Sequence, residues 1–171
     1  MRHYMYIMEN PIHVFTDGAC QGNGKKSAKA AYAVFFGDEH QLNESGTVDP
    51  ATNQRAELTA MLCALKKLQQ PEFYRKKIYI HSDSMYTINC VTNWCNQWEK
   101  NGWKTSNGHP VKNKELIEDT LKALRTVRQN SIIILKHVEA HTKEPSRASP
   151  DYQFWYGNFM ADAMATRAIS D

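Results

Sequence analysis

Four carboxylates in this 171-residue chain stand where an acid is expensive to keep. Asp17 follows the apolar run of IHVFT, and Asp83 closes KKIYIHSDS. Glu57 lies beside the apolar stripe of TNQRAELTAML, and Asp162 sits among the small residues and methionines of NFMADAMA. An acid within or at the end of an apolar run needs a partner or a metal ion. Taken singly, each has a structural explanation as a helix cap, a turn former, or a partner for Arg55 or Lys77. Gathered in one place, they would repel one another until cations neutralised them. Hard oxygen donors of this kind suit magnesium or manganese. Two such ions about 4 Å apart can activate water and stabilise the leaving oxygen in phosphodiester hydrolysis.

The elements that must position these acids are read from pattern. Residues 12–20 (IHVFTDGAC) predict a buried strand running into the glycine-rich turn QGNGKK. Residues 29–37 and 41–48 predict two further strands joined at GDEH. Asp49 as N-cap and Pro50 at the first helical position predict a helix, carried to about Leu68 by Leu58, Met61, Leu62 and Leu65. KKIYIHSDS predicts a fourth strand, and a helix capped by Ser84 follows. The segment NGWKTSNGHP breaks the pattern before an amphipathic helix with Leu116, Ile117, Leu121, Leu124 and Val127 on one face. SIIILKHV is the fifth strand. Residues 142–153, polar and with two prolines, form a loop, and FWYGNFMADAMATRAI closes the chain as a helix. The order βββαβααβα predicts an α/β fold with a mixed five-stranded sheet flanked by helices. Residues 1–11 read as an N-terminal extension, and residues 12–171 as one domain.

Composition narrows the class. The chain is 42% hydrophobic and 23% charged, which suits a globular domain with its own core. It contains no apolar stretch of membrane-spanning length and no signal-peptide pattern, so no membrane partner is expected. Four cysteines without metal-site spacing predict reduced thiols and an intracellular location, cytoplasm, nucleus or a host cell. A net charge of +3 is too small to identify a polyanionic partner by itself. A monomer is expected.

Six blocks in order, TDGACQGNG, TNQRAEL, SDSMYTIN, NWCNQWEKNGWKTSNG, HVEAH and GNFMADAMA, resemble type-1 ribonuclease H in its eukaryotic-like form. The resemblance spans the chain from Ile12 to about Ile169. It implies a ribonuclease H-like fold with a basic protrusion at about residues 93–114. It also implies an endonuclease that cuts the RNA strand of RNA–DNA hybrids to 3′-hydroxyl and 5′-phosphate ends. Asp17, Glu57, Asp83 and Asp162 match the metal-binding tetrad for two Mg2+ ions, for which Mn2+ can substitute. On that pattern Asp17 bridges both ions, Asp162 completes the site of the attacking water, and Glu57 and Asp83 complete the other. His141 matches a mobile histidine that assists proton transfer or product release. Asn23, Asn53 and Gln54 match positions that read the RNA strand across the minor groove, where 2′-hydroxyls separate RNA from DNA. Thr52 and Asn113 match part of a pocket for a DNA phosphate.

Residues 93–114 hold Trp94, Trp98 and Trp103 with four lysines and one acid, Glu99. Trp94 and Trp98 stand one helical turn apart and share a face. Such a stripe can be core. Combined with the lysines it suits a nucleic-acid backbone and sugar face, so Trp94, Trp98, Thr105 and Ser106 are expected substrate contacts, Trp98 on the DNA strand. The chain departs from the family in three ways. Pro50 stands where relatives often have an arginine of the phosphate pocket. The sequence begins almost at the first strand, so no separate N-terminal hybrid-binding domain is expected. The stretch from His141 to Asp162 is longer than usual, and reads as a disordered tip, an extra substrate contact through Lys143 and Arg147, or a cover over the site. Two rival functions use the same fold: a non-catalytic hybrid-binding module, against which all four acids argue, and a DNA-processing nuclease, which would lack TNQRAEL with a tryptophan-rich protrusion.

Overall fold

The computed structural model describes residues 10–170. Most of the expected N-terminal extension therefore lies outside the described residues. The elements follow the predicted order, except that the helix expected after β4 is two, α2 and α3: β1 (Ile12–Gln21), β2 (Lys29–Phe35), β3 (Glu44–Val48), α1 (Asn53–Lys67), β4 (Lys77–Ser82), α2 (Met85–Asn89), α3 (Cys95–Asn101), α4 (Lys114–Arg128), β5 (Ile132–His137) and α5 (Tyr152–Ser170). A π-helical turn, Cys90–Trp94, joins α2 to α3.

The strands form one sheet in the order β3-β2-β1-β4-β5. β1, β2 and β3 pair antiparallel, whereas β1–β4 and β4–β5 pair parallel. Two faces are thus covered from one chain. On one face Val14, Val34, Ile78 and Ile80 pack against Leu58, Met61 and Leu65 of α1, and Ile117, Leu121 and Leu124 of α4 join the same core. On the other face Phe15 and Phe35 meet Ala161 of α5, with Phe154, Met160 and Met164 around them. His81 stacks on Phe15 at 4.6 Å between centroids, and its Nε2 lies 2.9 Å from His13 Nδ1. Burial, then the neighbouring His13, pushes His81 down to about 4, so the ring packs as a neutral aromatic.

Several boundaries differ from the predicted ones. α1 starts at Asn53, with Thr52 rather than Asp49 as its N-cap; the Thr52 hydroxyl accepts from the Arg55 N–H at 3.2 Å. The ladder between β2 and β3 explains this, because Ala30 pairs with Val48 and keeps the chain extended to the end of β3. Pro50 therefore precedes the helix instead of opening it. β3 starts at Glu44, because the Asn43 side chain closes the preceding turn. Its Oδ1 accepts from Phe36 N–H at 2.7 Å, and its Nδ2 donates to the Gly37 carbonyl at 2.7 Å. α5 begins two residues before its predicted start, at Tyr152.

Two glycines set how closely the helices lie on the sheet. A Cβ at Gly18 would sit 2.4 Å from the Glu57 backbone nitrogen, and one at Gly157 would sit 2.3 Å from the Phe15 ring. Neither approach leaves room for a methyl group. Gly18→Ala and Gly157→Ala are each expected to lower stability by about 1–3 kcal/mol or more through overpacking. Urea unfolding checks this, and Gly24→Ala, at a φ of +84° with nothing within 4 Å, shows by contrast the cost of left-handed strain without overpacking.

Candidate active site

Register brings the first two acids together. Thr16 and Ser82 are the last pair of the β1–β4 ladder, so Asp17, midway along β1, and Asp83, just past the end of β4, follow side by side where the parallel pairing stops. That edge of an open α/β sheet is where ligands commonly bind. Glu57 arrives from α1, whose backbone reaches β1 only because Gly18 has no side chain. Asp17, Glu57 and Asp83 consequently present carboxylate oxygens that all lie within 4.8 Å of one another. Asp162 joins from α5 and lines the same cleft of about 260 Å³ with the other three and His141. His141 Nδ1 lies 3.9 Å from Asp162 Oδ2, on a turn where His141 itself has a φ of +50°. His137 Nε2 lies 3.1 Å from the Asp83 carbonyl oxygen and ties β5 to this edge.

The electrostatics are those of like charges held together out of water. Asp17 is 4% exposed and Glu57 5% exposed. Burial first, then the charges of Asp83 and Asp162, pushes Asp17 up to about 8. Burial and the nearby Asp17 charge hold Glu57 well above the usual carboxylate range. Asp83 is raised as well, chiefly by burial, with His141 opposing. Among the described residues Glu57 Oε2 is buried with no hydrogen-bond partner. A set of hard oxygen donors with one donor atom unspent fits a divalent cation. Cations are the ordinary means of keeping such a cluster ionised.

The expected substrate residues fall into two groups around this cleft. Asn23 lies in the turn after β1, and its Oδ1 accepts from the Asn53 backbone N–H at 3.3 Å, so the glycine-rich turn is tied to the start of α1. Asn53 and Gln54 are exposed in the first turn of that helix, and Asn53 lines the cleft. Thr52 and Asn113 occupy the N-cap positions of two different helices, α1 and α4. The Thr52 hydroxyl is engaged in capping, and Asn113 Nδ2 donates to the Tyr86 hydroxyl at 3.3 Å.

The protrusion divides its tryptophans between core and surface. Trp103 is buried in the main core, Trp98 packs partly against it, and Trp94 is 40% exposed. The ring centroids of Trp94 and Trp98 are 5.7 Å apart, and those of Trp98 and Trp103 5.9 Å apart, so one aromatic row runs from core to solvent. Thr105 closes a tight loop, its N–H donating to the His109 carbonyl at 2.8 Å and its hydroxyl accepting from the His109 N–H at 3.2 Å. Ser106 is exposed at the tip of that loop. Glu99, the one acid of the segment, is held by Arg125 at 2.8 and 2.9 Å. Lys100, Lys104, Lys112 and Lys114 stay exposed, which leaves this surface positive.

Three participants were not singled out from sequence. Gly18 and Ser84 line the cleft, and Asn158 is buried in α5 with its Oδ1 unpartnered among the described residues. Gly18 follows an acid that ends an apolar run, and Asn158 is a polar residue in a row of small and apolar ones. Those patterns were the available signals.

Residues 9–170 match the family model described as RNase H. The chain is 38% identical over 140 residues to mouse Ribonuclease H1, covering 81% of this chain and 47% of that protein. It is 35% identical over 165 residues to Ribonuclease H of Wolbachia pipientis wMel, covering 96% of this chain and 99% of that protein. The chain spans about half the length of the mammalian relatives it matches. LC11-RNase H1, solved in complex with an RNA/DNA hybrid, superposes with a TM-score of 0.58 at 20% identity, covering 93% of this chain and 96% of that one. Among the described residues no helix is long and apolar enough to cross a membrane.

The raised carboxyls predict a pH-dependent stability. In metal-free protein Asp17 keeps its proton in the folded state up to about pH 8, whereas the unfolded chain releases it near 3.8. The folded state binds more protons in that window, so stability falls as pH rises from about 4 towards 8. The loss from Asp17 across that window is on the order of several kcal/mol, and Tm falls with it. Thermal unfolding after chelation should show this slope. Asp17→Asn should flatten it, and added Mg2+ should restore stability most at the alkaline end.

Proposed function

This chain belongs to the RNase H family, and on that premise we propose that it is an endonuclease acting on the RNA strand of RNA–DNA hybrids. The observation that carries this reading is the convergence of the buried Asp17, Glu57 and Asp83 oxygens within 4.8 Å, with Asp162 on the rim of the same cleft. Three tightly grouped acids, with Asp162 reaching Asp17 from α5, suit two cation positions. In this reading Asp17 would serve both cations, Glu57 and Asp83 would help hold one, and Asp162 would help hold the other. Magnesium is the proposed ion, with manganese as a substitute. When bound, the cations supply the positive charge that keeps all four acids ionised, activates water and offsets charge on the phosphate in flight.

The protein's own groups do the rest. The acids fix where the scissile phosphate sits, because no other part of the cleft can neutralise it through cations. His141, exposed beside Asp162, is placed to accept a proton on its free imidazole nitrogen and to release it to solvent as product leaves. Asn23, Asn53 and Gln54 stand on one turn-and-helix unit at the cleft, where amides can sense 2′-hydroxyls of the cut strand. The DNA strand is assigned to the surface that runs from the start of α1 towards the protrusion. There the N-termini of α1 and α4, at Thr52 and Asn113, offer backbone N–H groups to a phosphate. Trp94, Trp98 and the protrusion lysines flank the sugar and backbone. With Pro50 in place of an arginine, this phosphate pocket relies on the helix termini alone.

A hybrid of labelled RNA and DNA tests the proposal. With Mg2+ or Mn2+ the protein should cut the RNA strand and leave 5′-phosphate ends. Asp17→Asn and Asp83→Asn should each lower the rate by roughly 100-fold or more while circular dichroism stays native. Cleavage of duplex DNA with the hybrid left intact would overturn it. Changing Lys104 and Lys112 to Ala should raise KM rather than lower kcat, and should reduce the salt dependence of kcat/KM, because backbone cations act through counterion release.

A further inference from the structure

A cavity of about 670 Å³ opens beside the acid cluster, between residues 142–151 and the first turns of α5. It shares Asp83, His141 and Asp162 with the cleft, so the two are continuous. Its far wall is aromatic. Trp155 and Phe159 stack with centroids 5.2 Å apart and planes within 14°. The Trp155 Nε1–H donates to the Thr142 carbonyl at 3.0 Å, which fixes the stack against the loop. Phe159 is nonetheless 49% exposed and takes no part in either core. Asn158, the residue before Phe159 on α5, is 7% exposed and also lines the cavity, and its Oδ1 has no partner among the described residues.

We propose that this cavity is a subsite for one unpaired nucleotide of the RNA strand next to the point of cleavage. The inference rests on the hybrid-nuclease reading, since that reading places the scissile phosphate of the RNA strand at Asp83 and Asp162. The next nucleotide of the same strand then lies one sugar–phosphate step away, at the mouth of the cavity. A base inside a duplex has both faces covered by its neighbours, so an exposed aromatic face is matched by a base that has left the stack. The wall charges favour a neutral base over a free anion at the back, because Glu139 and Asp151 line the cavity together with the shared Asp83 and Asp162. Lys143 and His141, at the loop side, suit the phosphate that follows. Asn158 brings an unspent acceptor for a base amino or ribose hydroxyl hydrogen. The segment that is long for the family thus acts as a substrate contact and not as a cover, with Trp155 and Phe159 as its working surface.

Competition between two substrates tests this. One is a fully paired RNA–DNA hybrid; the other is the same hybrid in which the RNA continues from the cleavage position as a short unpaired tail, made in a 5′ and a 3′ version. Stacking of a base on an aromatic side chain is worth about tenfold in this kind of measurement. The protein should favour one tailed version over the paired hybrid by about that factor in kcat/KM. Phe159→Ala should bring the ratio near one, and Phe159→Trp should keep it. Equal use of paired and tailed substrates by the unaltered protein would overturn the subsite, as would a preference that survives Phe159→Ala. Failure to cut any of the hybrids with Mg2+ or Mn2+ is a different result. It would remove the nuclease reading and this inference with it.

Discussion

Repulsion among Asp17, Glu57, Asp83 and Asp162 is the constraint that the rest of the structure serves. Carboxylates at this spacing, two of them nearly sealed from water, hold their protons far above the usual range unless cations are bound. Such a cluster survives only on a frame stiff enough to refuse relaxation. Two packed cores, one on each face of a five-stranded sheet, supply that frame. The acids are drawn from both faces and from two strands, so no single element can swing aside to relieve the charge.

The frame depends on unusually close helix–sheet contact at two points. Gly18 lets α1 bring Glu57 to the strand end, and Gly157 lets α5 bring Asp162 from the opposite face. In α5 the residues Gly157, Ala161 and Ala165 are all buried, so the helix meets the sheet on small side chains and lies low over β1. Its aromatic residues are pushed to the flanks, and that displacement leaves Trp155 and Phe159 beside the acids. Catalytic geometry and the adjoining cavity therefore follow from the same packing choice.

Charge on the surface is arranged by subtraction as much as by addition. A net charge of +3 gives little pull on nucleic acid. The protrusion becomes distinctly positive because its single acid, Glu99, is consumed by Arg125 of α4, which also anchors the protrusion to the body. The negative cleft and positive protrusion then divide the labour: one concentrates cations, the other the polyanion that the cations act upon.

The sequence by itself determined the strand and helix order, the four acids and the block pattern, because periodicity, apolar runs and motif spacing are local properties of the chain. Thr52 as the α1 cap escaped that reading: Asp49-Pro50 has a strong local start signal, and only the β2–β3 ladder shows that the chain is still extended at Val48. The row from Trp94 to Trp103 had the spacing of a core and the charge of a binding face. Tertiary packing divided it, burying Trp103 and leaving Trp94 in solvent. The cavity beside Asn158 was likewise invisible, since it arises where a loop folds back on a helix. Convergence of the acids belongs to the same class. It depends on a parallel register that sets Asp17 next to Asp83 across 66 positions of sequence, and on two glycines whose value lies in what approaches them. Distances between residues far apart in the chain are set by packing, and only the fold could decide them.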